Sequence, residues 1–363
     1  MLSDGLMGRG VRSGRGMAAV ACALVVGLGW ATDVAWAQRP PTQRGAPSLR
    51  EAGDDAGVLV GTAVVPELLK DSRYAEVLAR EFNVLVPQDV MAWGNVHPQA
   101  EQWNFEPVDT LMAFAEKHKM KVIGHALVNP RQLPAYINAE MSADQMRAAL
   151  REHITKLVGH YKGKVYAWNV VCDAVDDQEG LRKSVLLEKL GEDYIADAFR
   201  AAHEADPDAL LLYDDHGADA LNAKSDRVYE LVRKLWAAQV PVRGVGLQMH
   251  LSVSDPPDAG DVAKNIDRLR KVGLLVFISA MDVRTNDVPG DRADRLQAQG
   301  KVYRLIAAAA LRGQSVSGIT FWGFTDSHSW IDAEFGPDDP LLFDENYNAK
   351  PSYRAVLTAL RVR

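Results

Sequence analysis

The reactive side chains of this sequence gather where short apolar runs end. Trp168-Asn169-Val170-Val171 leads into Cys172 and Asp173, Gly246-Leu247-Gln248-Met249 into His250, and Ser279-Ala280-Met281 into Asp282. His125 follows Gly124 in another run, Tyr213 precedes Asp214 and Asp215, and Trp93, Trp322 and Trp330 stand at or just beyond three further points. Carboxylates, imidazoles, an amide and flat rings on one rim form the mixture a sugar chain needs. Rings cover its C–H faces, and fixed polar groups bind its hydroxyls. One tryptophan at such a place would be read as a cap on the core; three on one rim point to binding.

Each reactive group also has a plain reading. Asp282 could orient His250 so that it activates water opposite Asp173, giving a single displacement with inversion. The plain alternative is a structural hydrogen bond. Cys172 could act as a thiol nucleophile with His250 as its base; a small pocket-lining residue is the simpler expectation. Asp176, Asp177 and Glu179 read as a solvated loop face. No His-x-x-x-His or Cys-x-x-Cys spacing occurs, so neither a metal nor another cofactor is expected.

These residues are carried by eight β-rich apolar runs: Val58–Val64, Phe82–Pro87, Lys121–Val128, Val165–Val171, Ala209–Asp214, Gly244–Leu251, Leu274–Asp282 and Gly318–Phe324. Stretches such as Phe105–His118, Asp193–Ala205, Asp226–Ala238, Gln299–Leu311 and Ser352–Arg361 alternate with them and carry apolar residues at three- and four-residue spacing. Eight βα units without a composition break predict a single-domain (β/α)8 barrel over residues 57–363, with its working face where the strands end. No Gly-x-Gly-x-x-Gly follows the first run, which argues against a dinucleotide fold.

The chain of 363 residues is 47% hydrophobic, enough for one large core. Its net charge of −7 offers nucleic acid or an anionic membrane no long-range attraction. Residues 1–37 read as a signal peptide: Arg9, Arg12 and Arg15, an apolar run from Met17 to Trp30, then Ala35-Trp36-Ala37 for cleavage. A retained anchor is the alternative. Cleavage after Ala37 would remove Cys22 and leave Cys172 without a disulfide partner. Residues 38–56 read as a flexible leader. The expectation is a secreted or periplasmic monomer that meets a polysaccharide or oligosaccharide.

Several blocks in order resemble glycoside hydrolase family 10, the endo-β-1,4-xylanase family. They are Glu81-Phe82-Asn83, Gly124-His125 with Gln132-Leu133-Pro134, Gly246-Leu247-Gln248 with His250-Leu251, Trp322-Gly323 with Thr325-Asp326, and residues 341–348. The resemblance implies a retaining glycosidase with two glutamates at the ends of strands four and seven, one acid/base and one nucleophile about 5–5.5 Å apart. Here Asp173 takes the acid/base place and Ala280 the nucleophile place. Asn169 and Cys172 take the Asp and Asn places of the strand-four motif Trp-Asp-Val-Val-Asn-Glu. Gln88, Asp89, Val90 and Ala92 replace the Glu, Asn, Glu and Lys of the strand-two motif, and Asn129-Pro130 replaces a Trp-His pair. His125, Gln248, His250, Asp282, Trp93, Trp322 and Trp330 keep the family's types. Three functions follow: a glycan-binding protein without normal retaining hydrolysis, an altered hydrolase using Asp173 with water or His250, or a structural barrel with no glycan role.

Overall fold

The computed structural model describes residues 47–314 and 316–363. The signal-peptide expectation for residues 1–37 lies outside them, as does most of the expected leader. Eight strands close into one parallel barrel: β1 (Leu59–Val64), β2 (Val84–Pro87), β3 (Lys121–Val128), β4 (Ala167–Cys172), β5 (Leu210–His216), β6 (Gly244–Ser252), β7 (Leu275–Arg284) and β8 (Gly318–Phe321). Each pairs with the next, and β8 closes on β1 through Leu59 opposite Gly318. The near-continuous Val, Ile and Leu content of these strands suits a sheet buried on both faces, inside by the barrel and outside by helices.

Among the described residues, the nine longer helices are α1 (Leu49–Ala56), α2 (Ser72–Glu81), α3 (Glu106–Lys117), α4 (Ala143–His160), α5 (Asp193–Ala205), α6 (Ala223–Ala237), α7 (Ala259–Val272), α8 (Arg292–Leu311) and α9 (Pro351–Arg361). From α2 onward one follows each strand, as the alternating pattern predicts. Ser142 and Asn222 cap α4 and α6 through side-chain oxygens that accept the N–H three residues on, satisfying a donor the helix itself leaves open. Inside the barrel, Val84, Val86, Ile123, Ala167, Leu212 and Phe277 fill the axis. Gly124 lets the Trp168 ring lie against β3, because a Cβ there would stand 2.2 Å from it.

One expectation is corrected. Residues 49–56, read as the end of a flexible leader, form α1. Ser48 and Glu51 make a reciprocal capping box, and Leu49 is fully buried. The Glu81 carboxylate accepts the Leu49 N–H at 3.0 Å and the Tyr353 hydroxyl at 2.9 Å, which ties α1 to α2 and α9. Arg50 donates to the carbonyls of Ala79, Phe82 and His118. The domain therefore begins about nine residues before the expected boundary at residue 57. No helix among the described residues is long and apolar enough to cross a membrane.

Candidate carbohydrate site

A cleft of about 660 Å³ opens at the C-terminal ends of the strands. His125, Asp173, Gln248, His250, Trp322 and Trp330 line it together, as the sequence predicts, and are joined by Gln88, Asp89, Asn129, Arg131, Gln132, His216 and Asp219. This is where βα loops place chemistry in such barrels. A second cleft, of about 600 Å³, lies between α3 and α4 and is lined by Asp109, Met112 and Tyr161; none of the expected site residues reaches it.

The β7–β8 wall is aromatic. The Trp322 ring meets His125 edge-on at 5.0 Å between centroids, and Trp330 meets His250 in the same way at 5.0 Å. In the register of β6 and β7, Gln248 faces Ala280 and His250 faces Asp282. Asp282 is fully buried and accepts from His250 Nδ1 and Trp330 Nε1, each at 2.8 Å. Burial works to deprotonate His250, but the Asp282 carboxylate outweighs it and raises the pKa. An imidazole that holds its proton more tightly is a weaker general base. The hydrogen-bonded pair is formed, and the same carboxylate also holds Trp330. Ala280 is buried and presents a methyl group.

The β4–β5 wall is charged. Asp173 follows the end of β4 with φ +56°, a left-handed conformation that Asp tolerates better than most residues. Its Oδ1 pairs with His216 Nδ1 at 2.9 Å, and its Oδ2 accepts from Asn129 Nδ2 at 3.3 Å. Burial raises the Asp173 pKa, yet the hydrogen bond and charge of His216 prevail and keep it below the ordinary carboxylate range. Behind it, Lys224 Nζ stands 2.6 Å from Asp177 Oδ1, 3.0 Å from Asp215 Oδ1 and 3.1 Å from His216 Nε2. Asp215 is pushed the other way, first by burial and then by the Asp173 charge. Asp219, on the cleft, is also raised by burial.

Several expectations change here. Trp93 is not a sugar platform. It is 1% exposed, stacks on His153 at 4.3 Å and donates Nε1–H to the Tyr136 hydroxyl at 2.8 Å, all below the cleft. The chain reverses at Asp89, which has φ +55°, and this turn sends the indole into the core. Cys172 does not line the cleft either. It lies beneath it, 1% exposed, with Sγ 3.1 Å from Gln248 Nε2 and 3.5 Å from Asp214 Oδ2. Burial and three nearby carboxylates push its thiol well up, so it is no ready nucleophile. Asp177 is no free surface charge: Lys224, His216 and Arg182 hold it. His216 and Lys224 went unnoticed because β5 runs two residues beyond its expected end. The consecutive ionisable residues Asp214, Asp215 and His216 were the available signal.

Linear spacing also hid two groups of metal-type donors that the fold assembles: His125 with Cys172 and Asp214, and Asp173 with Asp215 and His216.

A closed βα barrel with tryptophans, imidazoles, amides and carboxylates around an open cleft at its strand ends defines a carbohydrate-active barrel. Comparison with known proteins sharpens this: the chain belongs to glycosyl hydrolase family 10, which matches residues 48–359. It is 40% identical over 286 residues to endo-1,4-beta-xylanase B of Thermotoga neapolitana, covering 78% of this chain and 82% of that protein. It is 37% identical over 323 residues to the beta-1,4-xylanase of Dictyoglomus thermophilum, covering 85% and 89%. The crystal structure of xylanase 10B from Thermotoga petrophila in complex with xylobiose superposes with a TM-score of 0.84 at 38% identity, covering 88% of this chain and 98% of that one.

Proposed function

We propose that this protein binds a xylan-like, β-linked polysaccharide in the strand-end cleft and does not cut it by the retaining route. The observation that carries this reading is the methyl group of Ala280 at the β7 position where the family resemblance places a nucleophilic carboxylate. Asp282, two residues on, is fully buried and already accepts from both His250 and Trp330, so it is no substitute. Removing a covalent nucleophile costs on the order of 10⁴-fold or more in turnover. Asp173 adds to the loss: a carboxyl kept ionised by His216 is a poor proton donor to a leaving oxygen. The aromatic wall does not depend on either group and keeps a surface for sugar rings. Export through residues 1–37 and a monomeric state belong to the same proposal.

Calorimetry with xylohexaose, run beside reducing-end assays on xylan and activated aryl β-xylosides, tests the reading. Binding without release of reducing ends is the expected result. Neither azide or formate nor Ala280→Glu alone is expected to restore full turnover, because Asp173 stays paired with His216. One observation favours an altered hydrolase instead. Asp219 is another cleft carboxyl, and burial raises its pKa while His216 holds that of Asp173 down; diverging pairs of this kind divide acid and base roles. Slow hydrolysis abolished by Asp219→Asn or Asp173→Ala would replace the binding-only reading. N-terminal sequencing of the exported protein checks the cleavage site, and gel filtration with light scattering checks the monomer.

A further inference from the structure

Beneath the cleft floor, three adjacent strands bring together an imidazole, a thiol and a carboxylate. His125 belongs to β3, Cys172 ends β4 and Asp214 lies on β5, with Cys172 and Asp214 paired in the sheet register. One imidazole nitrogen, the Sγ and a carboxylate oxygen all lie within 4.8 Å of one another. Asp214 Oδ2 is 3.8 Å from His125 Nδ1 and 3.5 Å from Cys172 Sγ. Around a tetrahedral zinc ion with bonds of about 2.0–2.3 Å, neighbouring donor atoms stand roughly 3.3–3.7 Å apart. The two separations from Asp214 Oδ2 are therefore close to the edges of such a tetrahedron.

The hydrogen bonds show where the lone pairs point. Asn169 Nδ2 stands 2.9 Å from His125 Nδ1, and Gln248 Nε2 reaches Asp214 Oδ2 at 2.7 Å and Cys172 Sγ at 3.1 Å. The two amide nitrogens thus occupy the lone pairs a cation would use, and both amides must turn or move aside for it to bind. Asn169 is 2% exposed, and its Oδ1 has no partner. Turning that amide over, an exchange of atoms that its shape permits, would place this unpaired oxygen beside the three donors. Asp214 Oδ1 is likewise buried without a partner, against the backbone of Gly246. The other donor group differs: Asp173, Asp215 and His216 surround the ammonium of Lys224, which already supplies the cation.

We propose that His125, Cys172 and Asp214 bind a divalent transition metal of the zinc class, with one position facing the cleft beside His125. Thiolate, imidazole and carboxylate together suit zinc or cobalt and disfavour magnesium or calcium, which take oxygen alone. On binding, the metal–sulfur bond replaces the Cys172 S–H bond, and the proton leaves to solvent. The metal site shares His125 with the cleft lining, but its other two ligands lie beneath it and need no bound glycan.

The test uses full-length protein stripped with a chelator, dialysed and titrated with Co²⁺, then Zn²⁺. One equivalent of Co²⁺ is expected to produce tetrahedral visible bands and a near-ultraviolet thiolate-to-metal band, both removed by Zn²⁺. Cys172→Ser should abolish the near-ultraviolet band, and Asp214→Asn should weaken binding by about tenfold or more. His125→Asn should do the same and serves as the second variant if Asp214→Asn fails to fold; far-ultraviolet circular dichroism follows folding throughout. Absence of the thiolate band in the wild-type protein overturns the proposal, and so does its persistence in Cys172→Ser. Xylohexaose titrations of the metal-free and zinc-loaded protein keep the outcome separate from that of the glycan reading.

Discussion

The two walls of the cleft solve opposite problems. The β4–β5 wall concentrates charge: Asp173, His216, Asp177, Lys224 and Asp215 form one connected network with Lys224 nearly buried at its centre. The β7–β8 wall is built around rings, with the Asp282 carboxylate behind His250 and Trp330. Retaining hydrolysis needs a reactive carboxyl on each wall. Here one wall fixes its carboxylate in an ion network, and Ala280 on β7 is buried. On the function proposed above, what survives is a surface that holds a sugar without attacking it. The difference teaches that partners set what a carboxylate can do: Asp173 is held by a histidine within an ion network, Asp282 by a histidine and an indole.

Four changes would break or sharpen this contrast. The largest effect belongs to the charged wall. Lys224→Met strips the cation from buried Asp215 and from Asp177, and such one-sided removal costs about 3–5 kcal/mol. Urea denaturation should show this loss, and a loss under about 1 kcal/mol would mean that the network is not holding the wall. Next comes Trp322→Ala, expected to weaken xylohexaose binding by roughly 30-fold, the scale of an aromatic hot spot, with little change in unfolding midpoint. Equal affinity in calorimetry would move the sugar away from the aromatic wall.

The third change separates the walls by pH. The Asp173 pKa is lower in the folded than in the unfolded protein, so its stabilisation is full above the unfolded carboxylate value and fades as pH falls below about 4. Asp215 has the opposite sign: raised on folding, it makes the protein less stable as pH climbs above about 4. Removing the Asp173 charge in Asp173→Asn should therefore lower the Asp215 midpoint, which carboxyl NMR titration reads directly. An unmoved Asp215 would disconnect the two. The smallest effect is expected for Trp93→Phe. It forfeits the hydrogen bond to Tyr136, about 1 kcal/mol of stability, and leaves glycan affinity within about twofold.

The barrel was legible because eight buried strands leave apolar runs that survive in one dimension, and six of the cleft residues were legible because they stand at the ends of those runs. Trp93 and Trp322 look alike in sequence. Trp93 packs on His153 and bonds Tyr136 while Trp322 lines the cleft, and such tertiary partners leave little trace in composition. His216 was hidden by an ordinary uncertainty of two residues at a strand end. The His125, Cys172 and Asp214 group comes from three strands and has no local spacing to betray it. Helix α1 is different. Its Ser48-x-x-Glu51 signature was present, but an eight-residue helix rich in Arg, Glu and Asp resembles the polar sequence before it.

Glu81 gives the molecule a practical property. Because one carboxylate accepts from Leu49 on the first helix and Tyr353 on the last, the two ends of the folded domain meet on the barrel's outer side. A circular permutant that joins them by a short flexible linker and opens the chain in an exposed strand-end loop keeps this clasp intact. Trimming through Ala56, by contrast, takes away a partner of Glu81 and strips cover from α2 and α9 together.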